Sequence, residues 1–343
     1  MKKIMSLLLA LLLVMSLGAP AFAEDDQDAS FNKIYKLENA GTTSPAETFT
    51  FSFSNGQVTD AAEGTVAPKI PDATVSFAGG EASADTGFTK DVSVALSSIH
   101  WPSVGIYTYD VKEVAGSTPG VTYSNDTLKM KVTVAYDDQT QTYYTAFVTM
   151  SLVDADGDGQ TDVKTGAFEN TYSAGSLAVT KTVTGNMGDR SKYFAINVTL
   201  TGEDGKTYPN QYAVSGGSKL TDGTTAETTA SISVDGQSRT FYLKHGETFT
   251  IENLPYGVTY TVAEDNYTGE QDGGYSPADY TYSDSGTVKT VDTALETVTI
   301  TNNKQATVDT GIVLDSLPYV LLLVLSIGGA VLFLLKRRSS RES

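Results

Sequence analysis

The chain has 343 residues, with 41 acidic against 23 basic side chains and a formal net charge of −18. So acidic a surface excludes nucleic acid and anionic membrane as partners. Cysteine is absent, which excludes the disulfides common in exported domains. Stability must come from the core alone or from a different covalent crosslink.

The N-terminus reads as an export signal. Met1-Lys2-Lys3 is a basic start, Ile4 to Leu17 an apolar run, and Ala21-Phe22-Ala23 a signal-peptidase site. Residues 1–23 are therefore a signal peptide. Beyond them Thr, Val, Tyr and Phe abound and Gly- and Ser-rich turns recur. Long segments of 3.6-residue periodicity are missing between residues 30 and 305. This pattern predicts an all-β protein of sandwich type, with room for two domains.

The first domain is expected over 27–172. Ala29 to Leu37 is its first strand, with Phe31, Lys33 and Tyr35 on one face and Ile34 and Lys36 on the other. Thr48 to Phe53 alternates cleanly. Val75 to Phe77, Val92 to Leu96, Gly105 to Glu113, Thr127 to Tyr136, Tyr143 to Val153 and Thr165 to Tyr172 follow. Trp101, beside His100, reads as core rather than as an adhesive patch. Between the last two strands, Asp154, Asp156, Asp158 and Asp162 have calcium-loop spacing. Thr165 stands where the twelfth-position Glu belongs, so the stretch reads as an acidic hairpin turn rather than a metal site.

Ser173-Ala-Gly-Ser176 is expected to be a linker, and a second domain is expected over 173–305. Its strands are Leu177 to Lys181, Tyr193 to Leu200, Phe241 to Leu243, Thr248 to Ile251, Val258 to Glu264 and Val298 to Asn302. The tail carries Thr307-Val308-Asp309-Thr310-Gly311, then an apolar span, 317–335, long enough to cross a bilayer. A basic end, 336–343, opens with Lys336-Arg337-Arg338 and would stay cytoplasmic.

The two halves repeat one order of residues. A first strand carries Lys (Lys36, Lys181), a late Tyr-rich strand ends in Glu (Glu113, Glu264), and a terminal strand ends in Asn (Asn170, Asn302). First and last strands of a sandwich can lie side by side, bringing a Lys amine against an Asn amide. Apolar burial favours the neutral, nucleophilic amine and a protonated Glu. Attack with loss of ammonia would leave a Lys–Asn amide bond, accelerated by proximity. Lys33 and Asn303 alternate onto the opposite faces from Lys36 and Asn302. No site for an external substrate is legible: His100 and His245 fall in different domains, and there is no Gly-x-Ser-x-Gly elbow or phosphate loop. The chain is not expected to be an enzyme beyond single-turnover self-linkage, and no cofactor is expected.

These paired sets, with Gly188-Asp-Arg-Ser-Lys192, resemble the major (backbone) pilins of Gram-positive bacteria, of the streptococcal isopeptide-linkage, FctA-like type. The resemblance implies two tandem immunoglobulin-like (CnaB-like) β-sandwiches, each with one autocatalytic isopeptide bond. Carried over, domain one uses Lys36 and Asn170 with Glu113, and domain two uses Lys181 and Asn302 with Glu264. The tail resembles a cell-wall sorting signal, which a sortase cuts between Thr310 and Gly311. Thr307 and Val308 replace the Leu and Pro of the common Leu-Pro-x-Thr-Gly form, which points to a pilus-class sortase. The mature chain, Glu24 to Thr310, sheds six basic and two acidic residues and so carries −22. The resemblance further implies Lys164 as the inter-subunit acceptor. Its partners would be other copies of the chain, minor tip and base pilins, and cell-wall peptidoglycan. The alternative reading is a wall-anchored monomeric adhesin or stalk built from the same domains.

Overall fold

The structure, a computed structural model, describes residues 27–153, 166–271, 273–280, 285–306 and 317–339. The signal peptide, the Asp154 to Asp162 loop, Lys164 and the Thr307 to Gly311 motif lie outside these residues.

The first domain is built from β1 (Ala29–Leu37), β2 (Glu47–Thr59), β3 (Ala73–Phe77), β4 (Phe88–Val94), β5 (Gly105–Val114), β6 (Val121–Thr122), β7 (Thr127–Asp137), β8 (Thr142–Leu152) and β9 (Ala167–Tyr172). They form two sheets, ordered β4-β1-β9-β6 and β3-β2-β5-β7-β8. Alternation in sequence becomes alternation in burial: Phe49, Phe51 and Phe53 of β2 point inward, as do Tyr107, Tyr109 and Val111 of β5. The core is aromatic, and its rings meet edge to face: Phe31 and Phe51 at 4.9 Å, Tyr35 and Phe49 at 5.2 Å. Trp101 is buried, and its Nε1–H donates to Thr145 Oγ1 at 3.1 Å.

The second domain comprises β10 (Ala174–Thr184), β11 (Phe194–Thr201), β12 (Tyr212–Gly216), β13 (Thr229–Ile232), β14 (Ser238–Leu243), β15 (Thr248–Pro255), β16 (Thr259–Glu264), β17 (Asp279–Tyr280), β18 (Lys289–Thr290) and β19 (Leu295–Asn303). Its sheets are β13-β12-β15-β10-β19-β17 and β14-β11-β16-β18. After it, α1 (Leu317–Ser339) covers the span expected of a membrane crossing and is long and apolar enough for one.

Of the expected linker at Ser173 to Ser176, only Ser173 stays outside the strands, and Ala174 to Ser176 are drawn into β10. Gly175 takes its place because the backbone of Thr293 passes so close that a Cβ would meet its carbonyl oxygen at 2.1 Å. Polar clamps bind the junction. Asn39 Nδ2 donates to Ala174 O at 2.8 Å. Asn253, in the left-handed region at φ 58°, donates from Nδ2 to Thr43 O at 2.9 Å and accepts from Thr43 N–H at 2.8 Å.

The topological feature that matters most is shared by both domains. The first and last strands, β1 with β9 and β10 with β19, run parallel as neighbours. Everything between them in each domain is thus enclosed by one strand pair.

Candidate isopeptide sites

In domain one, β1 and β9 pair so that Lys33 faces Phe168 and Tyr35 faces Asn170. Side chains two residues apart share a face of a sheet. Lys33, Phe168 and Asn170 therefore all turn into the core, and all three are buried. The facing sheet supplies Glu113 from β5, opposite Phe51 of β2. Lys33 Nζ donates to Glu113 Oε2 at 2.8 Å, and Asn170 Nδ2 donates to Glu113 Oε1. One carboxyl group thus holds the amine and the amide together. The ring of Phe49 lies 4.4 Å from Lys33 Nζ.

This geometry corrects the assignment of Lys36. Its side chain leaves the opposite face of β1, stays partly exposed, and pairs with Glu169 at 2.6 Å on the surface. The period-2 rule places Lys33 with Phe31 and Tyr35 on the aromatic face, and that face is the core. The signal was present in the sequence: in both halves the buried Lys is flanked at two residues on each side by apolar side chains, Phe31 and Tyr35 or Val179 and Val183.

Domain two repeats the arrangement with the same offsets. Lys181 faces Ile300 and Val183 faces Asn302. Glu264 on β16 lies opposite Ile196 of β11. Lys181 and Asn302 are buried. Lys181 Nζ donates to Asn302 Oδ1 and to the carbonyls of Thr182 at 3.1 Å and Ile300 at 3.2 Å. Its distance to Glu264 Oε1 is 3.2 Å, although that oxygen accepts no well-directed hydrogen bond. Phe194, two residues before Ile196, sits 4.5 Å from Lys181 Nζ, as Phe49 sits two before Phe51. A cavity of about 220 Å³, lined in part by Glu264, Tyr280 and Asn302, adjoins the site.

The Gly188 to Lys192 stretch lies close by. Lys192 Nζ is 4.5 Å from the Tyr267 ring and 5.7 Å from that of Phe194. His245 has a structural part here, since Val183 N–H donates to its Nδ1 at 3.0 Å.

Burial sets the protonation states. Desolvation lowers the Lys33 pKa from 10.5 to about 8 despite the attraction of Glu113. It lowers that of Lys181 in the same way, and it raises both Glu113 and Glu264 above the ordinary carboxyl range. Both shifts favour a neutral amine beside a protonated acid, the pairing that amide aminolysis needs. Among the described residues no group of His, Asp or Glu is placed to hold a metal ion.

Residues 30–173 match the model of the FctA family, the Spy0128-like isopeptide-containing domains. The chain is 29% identical over 266 residues to a pilin of Streptococcus pyogenes serotype M1, covering 73% of each. The crystal structure of the major pilin from Streptococcus pyogenes aligns over 82% of this chain and 100% of its own, with a TM-score of 0.54 at 25% identity. The first domain belongs to the FctA family, and the chain as a whole is similar to the streptococcal major pilins. In this pilin, residues 175–304 match a separate model, a domain of unknown function (DUF7601). The pilin also shares 31% identity over 140 residues with the Streptococcus pyogenes pilus tip adhesin Cpa, a match that spans 18% of that protein.

Proposed function

We propose that this pilin is the shaft subunit of a sortase-assembled, wall-anchored pilus, with each domain locked by a self-formed amide bond, Lys33–Asn170 and Lys181–Asn302. The observation that carries the reading is the duplication itself. Lys, Asn, Glu and a covering Phe occupy matching register positions in two domains that match different family models.

In each domain the neutral Nζ adds to Asn Cγ, and the carbon–oxygen electrons move onto Oδ1. The Glu carboxyl passes a proton to Nδ2 and recovers one from Nζ. When the Cγ–Nδ2 bond breaks, ammonia leaves. One C–N bond forms and one breaks, so no oxidant, metal or cofactor is required. The bond joins the first strand to the last, so tension along the chain passes through two adjacent strands and bypasses the sandwich.

Polymerisation is read from the tail. Cleavage between Thr310 and Gly311 and transfer to Lys164 of another copy would build the fibre, and peptidoglycan would receive its last subunit. Immunoblots of wall extracts test this: a ladder that survives boiling in detergent, and collapses in Lys164→Ala, supports the shaft. A single band would instead favour a monomeric anchored adhesin or stalk.

A further inference from the structure

The two sites differ in what the amide oxygen of the reacting Asn accepts from. In domain one Asn170 Oδ1 accepts the backbone N–H of Ser124 at 2.9 Å. In domain two Asn302 Oδ1 accepts from the nucleophile itself, Lys181 Nζ. Among the described residues no backbone N–H is bonded to Asn302 Oδ1.

The Ser124 contact is built by the fold. β6 pairs antiparallel with β9 through Val121 and Tyr172 and through Thr122 and Thr171. The chain leaving β6 therefore runs back past Asn170. Ser124 and Asp126 then bind each other: Ser124 Oγ donates to Asp126 Oδ2 at 2.9 Å, and Asp126 N–H donates to Ser124 Oγ at 3.2 Å. This fixes the turn, and the N–H faces the carbonyl. The amide cannot be reversed without setting its NH₂ against Ser124 N–H and its oxygen against Glu113 Oε1.

When Lys33 Nζ adds to Cγ of Asn170, Oδ1 takes up negative charge. A fixed donor within hydrogen-bond distance of such an oxygen stabilises the transition state more than the starting amide. We propose that the Ser124 backbone N–H is the oxyanion donor for closure of domain one, a catalytic contact supplied by the β6–β7 turn. The proposal rests on the amide-bond reading above. It leaves the acid and nucleophile roles as they are and adds a third group that speeds the reaction. It also sets the two domains apart: the first has a preset donor, and among the described residues the second shows none.

The test uses the whole ectodomain, made in a short cell-free pulse and sampled over time by intact mass, with mapping of the linked peptides to assign each ammonia to its domain. In one variant the amide nitrogen of Ser124 is replaced by an ester oxygen, which deletes the N–H and little else. Lys36→Ala, on the outer face of β1, is the control. The expected result is closure of domain one slowed by about 10²-fold in the ester variant, near-normal in Lys36→Ala, with domain two unchanged in both. Equal rates in ester and wild-type chains would overturn the oxyanion role alone. No ammonia loss in the wild type would overturn it together with the amide-bond reading. If the ester variant misfolds, Asp126→Ala, which loosens the turn but keeps the N–H, should slow domain one several-fold, and an unchanged rate there would overturn the proposal.

Discussion

Lys33 stands across the sheet from Phe168, two residues ahead of Asn170, and shares its buried face. The same offset relates Lys181 to Asn302. Parallel pairing of the first and last strands turns this spacing into contact, because the diagonal neighbour on one face of a sheet is within reach of a long side chain. Glu then arrives from the facing sheet. The site thus straddles the sandwich, and it forms only when both sheets have packed.

Lys33→Ala should leave domain one unlinked, while Lys36→Ala should leave it linked. Intact mass reads this directly: the first variant retains one additional ammonia, the second none. Retention in Lys36→Ala with normal closure in Lys33→Ala would reverse the assignment.

Glu113→Ala and Glu264→Ala should each retain one ammonia, independently. The two acids sit in separate cores, so the double variant should retain two. Retention of both in either single variant would show that the domains do not close separately.

Asn170→Ala and Asn302→Ala should each lower thermal stability. Treated like a disulfide that closes a loop longer than most, each bond is worth about 5 kcal/mol. Calorimetry should show a drop in Tm for each, and limited proteolysis should open the altered domain first. An unchanged Tm would contradict a mechanical lock.

Closure of domain one should follow a bell-shaped pH profile, rising as Lys33 loses its proton toward about 8 and falling where Glu113 has lost the proton it must donate. The rising limb follows from the amine: burial lowers its proton affinity, and only the deprotonated form attacks. In the unlinked chain the unfolded state binds more protons than the folded state between about 8 and 10.5, so stability of that form should rise with pH across this window. Pulse experiments at stepped pH, and denaturant titrations of Asn170→Ala, check the two claims.

Much of this was legible in the residues. Strict alternation located β5, β7 and β8 to within a residue, but it placed β2 only over Thr48 to Phe53, and the strand runs on to Thr59 beyond a register shift between Ser54 and Gln57. The pairs β6, β17 and β18 have two residues each and carry no period to read. β12 and β13 escaped because they are short strands at one edge of their sheet. The Glu and Asn residues were found through order and repetition. The Lys of domain one was misassigned because its position was matched by motif rather than by face: Phe31, Lys33 and Tyr35 share the aromatic side of β1, and Lys36 does not. The Ser124 contact could not be read at all, because it depends on how a two-residue strand registers against β9.

The most direct measurement is the intact mass of the purified wild-type ectodomain, residues 24–310. Two internal amide bonds require a deficit of two ammonia molecules, with linked peptides joining Lys33 to Asn170 and Lys181 to Asn302. A mass equal to that of the unmodified sequence would contradict the account.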